Sequence, residues 1–440
     1  MRHPTQLLAA AAIGLLVSLP AAAVDNKPPF PRLAGVNNGA PHNYEDSAYQ
    51  AKLAKLNFSV LQIWTGWEKG SGMTMEQVVR GIKAINPDSR VFLYENNMEV
   101  QDGNPAAAAV FDKVNAMKWW AFPRGGDGVA MLSEFGKQTS KEYYQINTTL
   151  FTPKDSSGYQ AWEWHARWIV QQFYKPNPSI DGFFEDNVFW RPRIDADWNR
   201  DGVTDPKDSP QAGKWLRDAH RKRFELLHTL MPGKLMIGNV ADWGRSTAVL
   251  TEIDQTLNGG LIEGLLGASY SPETWASWTE MMRWYRKTLA AIAPPKLVAF
   301  HYMGAATDYK TLRYGLGSCL LDDGYFAFSE KGKGYTGVVW FDEYDSKLGQ
   351  AVMPPATTAW QKGVYRRDFE NGIVLVNPKG NGPVEVTLEE DFKRLVGKQD
   401  PAVNNGAVTR KLILQDRDGI ILKRIRPVSA PTAPKLVAVH

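Results

Sequence analysis

Cysteine is almost absent from this chain of 440 residues, which contains only Cys319. An intrachain disulfide is therefore excluded, and so is a metal site rich in cysteine. Histidine is scarce too, since there are seven and none is paired at metal-ligand spacing. A chain of this length can bury a stable hydrophobic core without such crosslinks.

Charge of one sign and long apolar runs are also lacking. The 51 basic and 47 acidic residues leave a net charge of +4, spread along the chain. This balance gives no reason to expect nucleic acid or an anionic membrane as a partner. No segment beyond the first residues is apolar over the ~20 positions that a membrane-spanning helix needs.

The beginning of the sequence is typical of an export signal. Arg2 precedes the apolar stretch Leu7–Leu19, and Ala21–Ala23 supplies the small residues of a cleavage site. We expect residues 1–23 to be removed after Ala23, which predicts a secreted or periplasmic protein without a stable membrane anchor. An uncleaved anchor is the alternative.

Eight apolar runs of strand length alternate with helical patterns over residues 30–360. This rhythm predicts an α/β fold, a (β/α)₈ TIM barrel sheathed by helices. The rival is an open doubly wound sheet, but Gly35–Gly39 lacks the glycine spacing of its phosphate-binding turn. The predicted strands are Leu33–Asn37, Ser59–Trp64, Arg90–Glu95, Ile180–Asp186, Lys234–Asn239, Gly260–Glu263, Lys296–Tyr302 and Tyr325–Ser329.

The pattern changes near Tyr365. Short strands separated by turn residues predict a small C-terminal antiparallel β domain over residues 365–426. Residues 427–440, which contain three prolines, are predicted to form a loose tail.

Polar residues at the carboxyl ends of the predicted strands are the candidate site, because barrel enzymes carry their chemistry at that end. Paired carboxylates there would suit glycoside cleavage, in which one protonates the leaving oxygen and the other attacks or activates water. Strand alternation sends Asp186 and Glu185 to opposite faces. We expect Asp186 as nucleophile or base and Glu263 as acid/base, although a helix cap or a rim ion pair is a structural alternative. The predicted substrate-binding residues are Asn37, Trp64, Tyr94, Glu95, Asn187, Asn239, Asp242, His301 and Tyr302.

A second motif follows the twelve-residue calcium-loop pattern. Its glycine is Gly202 at position six, and position twelve is aspartate, as in dockerin-type loops. We expect a structural Ca²⁺, although a solvated acidic turn is the alternative. The predicted ligands are Asp197, Asn199, Asp201, the Val203 carbonyl, Asp205 and Asp208.

Several segments together resemble glycoside-hydrolase-like family fifteen, a hypothetical glycosyl hydrolase family. They are Asp181–Asn187, the calcium-type loop, Trp340–Tyr344 and Gly372–Pro378, and the resemblance covers roughly Leu33 to Lys423. It implies a TIM barrel with a C-terminal β-sandwich.

Phe184–Asn187 is also distantly similar to a strand-four segment of the α-galactosidase clan. That resemblance implies a nucleophile at Asp186 and an acid/base at Glu263. The chain departs from the clan at Phe184, which stands where the clan has lysine.

The sequence thus predicts a glycosidase that acts as a monomer on a polysaccharide or oligosaccharide. Sixteen tryptophans fit this expectation, because flat aromatic faces can stack on sugar rings. A non-catalytic glycan-binding barrel remains an alternative, and a deacetylase or lyase is a third. No Gly-x-Ser-x-Gly elbow supports a serine nucleophile.

Overall fold

Eight parallel strands close into a barrel in the computed structural model, which describes residues 27–39, 41–62, 72–126, 128–246 and 250–428. The predicted fold class is confirmed. Two further strands pair with each other in a long insertion that follows the third barrel strand. The strands up to this point are β1 (Leu33–Asn37), β2 (Phe58–Gln62), β3 (Arg90–Glu95), β4 (Glu99–Gln101), β5 (Tyr143–Gln145), β6 (Gly182–Glu185), β7 (Leu235–Asn239), β8 (Gly259–Leu266), β9 (Leu297–Gly304) and β10 (Tyr325–Glu330).

Neighbours around the barrel run in the order β1-β10-β9-β8-β7-β6-β3-β2, so β4 and β5 lie outside it. Helices sheathe the barrel, and sequence signals mark several of their ends. Ser209 caps the longest helix by accepting from the Ala212 N–H, and Pro210 occupies its first turn. The helices are α1 (Ser47–Leu53), α2 (Met75–Ile85), α3 (Ala108–Ala116), α4 (Ala161–Ile169), α5 (Pro210–Leu230), α6 (Pro272–Trp275), α7 (Trp278–Ala291) and α8 (Tyr309–Leu320).

Side chains alternate between the barrel interior and the helix layer along each strand. Phe184 and Ile237 pack in the interior cluster. Their neighbours Phe183 and Met236 pack in the larger cluster between strands and helices. This alternation decides which polar side chains at the strand ends face the barrel mouth.

A buried ion-pair cluster lies between the barrel and α5. Arg223 is fully buried, and its guanidinium donates to Glu185 on β6 and to Glu95 on β3, both at 2.6 Å. Those two glutamates are cross-strand partners. Burial and the neighbouring Glu95 charge raise the pKa of Glu185, against the lowering effect of Arg223. Arg223 therefore ties two adjacent strands to one helix.

The C-terminal part forms a five-stranded antiparallel sheet in the order β11-β12-β15-β13-β14. One face has its own apolar cluster, which includes Ile373 and Leu422. The other face packs against α8, where a Cβ on Gly317 would meet the Val376 side chain at 2.9 Å. The strands are β11 (Tyr365–Phe369), β12 (Gly372–Asn377), β13 (Val384–Arg394), β14 (Val408–Leu414) and β15 (Asp418–Arg424).

Some predictions fall outside the described residues, namely the export signal at 1–23, Trp64 and most of the tail at 427–440. Among the helices that the structure does describe, none is long and apolar enough to cross a membrane.

Replacing Arg223 tests the buried ion-pair cluster. We expect Arg223→Met to lower the free energy of unfolding by about 3–5 kcal/mol, because it leaves two buried carboxylates without their cation. Lys214→Met on the same helix is the matched control. Lys214 pairs with Asp218 at the surface, so a change of only about 0.2–1 kcal/mol is expected. Urea denaturation measures both, and equal losses would contradict the assignment.

Candidate active site

Asp186 and Glu263 meet at the mouth of the barrel. Asp186 directly follows β6, and Glu263 lies in β8. Alternation turns both inward, because Phe184 and Leu261, two positions earlier, pack in the barrel interior. The structure thus brings together the two carboxylates that the sequence analysis selected.

One amide joins the two carboxylates. The Nδ2 of Asn239, at the end of β7, donates to Asp186 Oδ1 at 3.0 Å and to Glu263 Oε2 at 2.8 Å. These two facing oxygens are therefore at most about 5.8 Å apart, the sum of the two hydrogen-bond lengths. In a glycosidase, facing oxygens this close would suit the ~5–5.5 Å carboxyl spacing of a retaining pair.

The two carboxylates differ in their other hydrogen bonds. Asp186 also accepts from the Tyr94 hydroxyl at 2.6 Å and from the Asn187 N–H at 2.9 Å. Glu263 accepts from the Tyr335 hydroxyl. Among the described residues, Asp186 thus has three hydrogen-bond donors and Glu263 has two, which favours the ionised form more strongly at Asp186.

Burial raises the pKa of both carboxyl groups above their ordinary values. The negative charge of Asp186 raises the pKa of Glu263 further, while the hydrogen bonds from Tyr335 and Asn239 lower it. The hydrogen bonds from Tyr94, Asn239 and Asn187 lower the pKa of Asp186. Two interacting carboxyls of this kind favour one shared negative charge over two.

A residue with left-handed backbone geometry follows each carboxylate. Asn187 has a φ of 58°, and Gly264 has a φ of 62°. A Cβ at Gly264 would lie 2.6 Å from Ala268, so glycine is required there. The Gly264 N–H donates to His301 Nδ1 at 3.1 Å, and the other ring nitrogen of His301 contacts Ser329 Oγ at 2.9 Å.

His301 therefore does not contact the open site, which corrects its prediction as a substrate ligand. Its ring is fully buried, and burial lowers its pKa to about 3, so the imidazole is neutral. Its hydrogen bond holds the turn after Glu263.

Three more substrate-contact predictions are wrong, because alternation turns the side chains toward the helix layer. Asn37 accepts from the Tyr49 hydroxyl at 3.1 Å. Glu95 forms a buried ion pair with Arg223. Tyr302 is buried against Phe328.

Asp242 lies beside the pair rather than against it, in a second cavity that Glu263 and Asn187 also line. Its side chain is 8 % exposed, and Arg193 is 3.7 Å away. Burial raises the pKa of Asp242 to about 7, while the Arg193 charge lowers it. Among the described residues, neither carboxylate oxygen has a hydrogen-bond partner. The backbone N–H of Trp190 is nevertheless near enough to lower the pKa of Asp242.

Sequence reasoning missed two residues of the site. Tyr335 lies in the loop after β10, and its ring covers His301 at 6.1 Å between centroids. Glu99, on β4, lines the main cavity, and burial raises its pKa to about 7. Neither residue ends a barrel strand, so only their aromatic or acidic character was visible in the sequence.

The main cavity above the pair has a volume of about 820 Å³. Tyr94, Asp186 and Glu263 lie at its floor, and the insertion containing β4 and β5 supplies much of its wall. This volume is within the ~300–1,000 Å³ of typical ligand sites.

The predicted calcium loop has the turn of such a loop but not a closed set of ligands. Asp197 accepts from the N–H groups of Asp201 and Gly202, at 3.1 and 2.8 Å, and Gly202 has a φ of 93°. The exposed Asp208 carboxylate pairs with Arg191. Over the described ranges, no group of three or more His, Cys, Asp or Glu side chains is arranged to hold a metal ion.

Structural comparison finds several carbohydrate enzymes at low sequence identity. The glycoside hydrolase domain of PelA from Pseudomonas aeruginosa is 12 % identical, with a TM-score of 0.41 over 71 % of this chain and 99 % of that one. The cycloalternan-degrading enzyme from Trueperella pyogenes is 10 % identical, with a TM-score of 0.43 over 89 % of this chain and 62 % of that one. The type III pullulan hydrolase from Thermococcus kodakarensis is 11 % identical, with a TM-score of 0.45 over 89 % and 75 %.

No curated protein matches the sequence. A family model does match, and it is described as hypothetical glycosyl hydrolase family 15. The match runs over residues 83–373, which include the whole carboxylate site and well over half of the chain. The protein therefore belongs to hypothetical glycosyl hydrolase family 15.

Proposed function

We propose that the protein is a retaining glycoside hydrolase that cleaves an O-glycosidic bond in an extracellular or cell-envelope polysaccharide. The observation that carries this proposal is the carboxylate pair Asp186 and Glu263, joined through the Asn239 amide at the floor of a large cavity. Family membership supports the reaction class. The export signal expected at residues 1–23 supports the location.

In this proposal Asp186 is the nucleophile and Glu263 is the acid/base. The third hydrogen-bond donor on Asp186 favours the ionised form of this side chain. The negative charge of Asp186 in turn favours the protonated form of Glu263. The Asp186 oxygen forms a bond to the anomeric carbon while the bond to the leaving oxygen breaks, and Glu263 gives that oxygen its proton. Water then attacks the glycosyl-enzyme, loses its proton to Glu263 and releases Asp186.

Removing either carboxylate tests the assignment. We expect Asp186→Asn and Glu263→Gln each to lower kcat on a responsive glycan by about 10²–10⁴-fold. Glu330→Gln is the matched control, because Glu330 also ends a barrel strand but lines neither cavity. A reducing-end assay measures the loss. Glycan retention on an affinity gel without new reducing ends would instead indicate a binding protein.

Azide rescue separates the two roles. With an activated glycoside, we expect Asp186→Gly plus sodium azide to give a glycosyl azide of inverted configuration, because azide replaces the missing nucleophile. Glu263→Gly should give an azide of retained configuration, because Asp186 still forms the glycosyl-enzyme. NMR of the anomeric proton distinguishes the products, and the reverse pattern would exchange the roles.

The two tyrosines should shift opposite limbs of the pH profile. Tyr335→Phe removes a hydrogen bond that lowers the pKa of Glu263, so the basic limb of kcat/KM should move up by about one pH unit. Tyr94→Phe removes a hydrogen bond that lowers the pKa of Asp186, so the acidic limb of kcat/KM should move to higher pH. Tyr144→Phe is the control, since its hydroxyl contacts the exposed Glu142. Movement of the same limb in both variants would contradict the assignment.

Calcium binding by the 197–208 loop is a subsidiary proposal, supported by the loop turn and by the crowding of its acids. Burial raises the pKa of Asp205, and the charges of Asp197 and Asp201 raise it further. We expect millimolar Ca²⁺ to raise the melting temperature, since a ligand at 100 times its Kd stabilises the fold by about 2.7 kcal/mol. Asp201→Asn should weaken this shift, and an equal response to Mg²⁺ or none to Ca²⁺ would contradict the proposal.

A further inference from the structure

The catalytic carboxylates lie where two cavities meet. The main cavity of about 820 Å³ and the second cavity of about 280 Å³ share Glu263, Asn187 and Phe135 in their linings. A third cavity of about 390 Å³ shares Tyr270 and Trp284 with the second. Within the described residues, the three form one groove that continues on both sides of the pair.

The residues that line the cavities indicate which side of the groove binds which part of the substrate. Asp186 lines the main cavity but not the second one, so the sugar ring that it attacks lies in the main cavity. Glu263 lines both, which puts the oxygen that it protonates at their junction. The leaving group then extends into the second cavity.

Asp242 supplies the second cavity with a buried carboxylate that can accept hydrogen bonds. Its carboxylate is buried, and neither oxygen has a hydrogen-bond partner among the described residues. Arg193 lies 3.7 Å from it but donates its hydrogen bond to Glu134, at 2.5 Å. A buried polar group without partners costs free energy. A carboxylate has two oxygens that can accept together, so a pair of adjacent sugar hydroxyl groups would complement it.

Aromatic side chains continue the groove beyond Asp242. Tyr270 is 43 % exposed and Trp275 is 58 % exposed. Trp275 and Trp284 pack edge to face, with ring centroids 6.1 Å apart. Exposed aromatic faces of this kind suit the C–H faces of further sugar rings.

From these contacts we infer that the second and third cavities bind the leaving-group side of the polysaccharide, with Asp242 accepting from two adjacent hydroxyl groups of the first leaving-group sugar. Because the groove continues past the pair on both sides, it accepts an internal segment of a polysaccharide, so the enzyme is endo-acting. This inference rests on the proposed glycosidase function and adds its mode of attack and a specificity-determining residue.

The experiment compares two substrates of the same sugar. End-labelled hexasaccharides of glucose, galactose, mannose and N-acetylhexosamines fill both sides of the groove, whereas the matching glycosyl fluorides leave the second cavity without a sugar. We expect Asp242→Asn to lower the ratio of hexasaccharide to fluoride kcat/KM by about tenfold or more, because it removes hydrogen bonds to a charged acceptor. Trp275→Ala, at an exposed position in the third cavity, should lower the same ratio. Glu330→Gln is the control.

Two further measurements sharpen the test. The wild-type enzyme should release internal fragments from the labelled hexasaccharides in the first turnovers. Asp242→Asn should also leave the free energy of unfolding unchanged or raised, since the variant no longer buries a charge whose oxygens lack hydrogen-bond donors.

Three results would overturn the inference. The first is release of only terminal mono- or disaccharides from the start. The second is an equal loss on both substrates in Asp242→Asn and Trp275→Ala. The third is hydrolysis of neither substrate by the wild-type enzyme, which would contradict the proposed glycosidase function as well, whereas the first two would leave it standing.

Discussion

The buried contact of Arg223 with Glu95 and Glu185 fixes the part of the barrel on which the site depends. These glutamates are register partners on β3 and β6, and Asp186 immediately follows the second of them. The backbone N–H of Asp186 also donates to the Glu95 carbonyl at 2.8 Å. Because one guanidinium ties both strand ends to α5, the backbone that carries the inward-facing Tyr94 and Asp186 is held in a fixed position.

The site itself depends on an unequal distribution of hydrogen bonds between two similar acids. Asn239 donates a hydrogen bond to each carboxylate, so it sets their separation without favouring the ionised form of either one. The difference comes from Tyr94 on one side and Tyr335 on the other, together with the backbone N–H after Asp186. Such a difference in environment is how one pair of carboxyl groups acquires two chemical roles.

The surroundings of the pair combine segments that are far apart in the chain. The insertion with β4 and β5 forms the wall of the main cavity, while Asp242 follows β7 and Tyr270 follows β8 on the other side. Loops on a rigid barrel thereby determine the shape of the groove, and the strands determine the position of the reacting groups.

The sequence by itself determined the fold class and the identity of the two central carboxylates. Alternating strand and helix patterns predict the barrel, and period-two alternation separates Asp186 from Glu185 before any coordinates are known. The same alternation, applied to every strand, would also have turned Glu95 and Tyr302 away from the mouth. Only the tertiary structure decided that Asn239 bridges the pair and that Tyr335 reaches Glu263. It also decided that Asp242, within the described residues, has Arg193 beside it but no hydrogen-bond partner. These contacts join residues distant in sequence, and no local pattern encodes the distance between them.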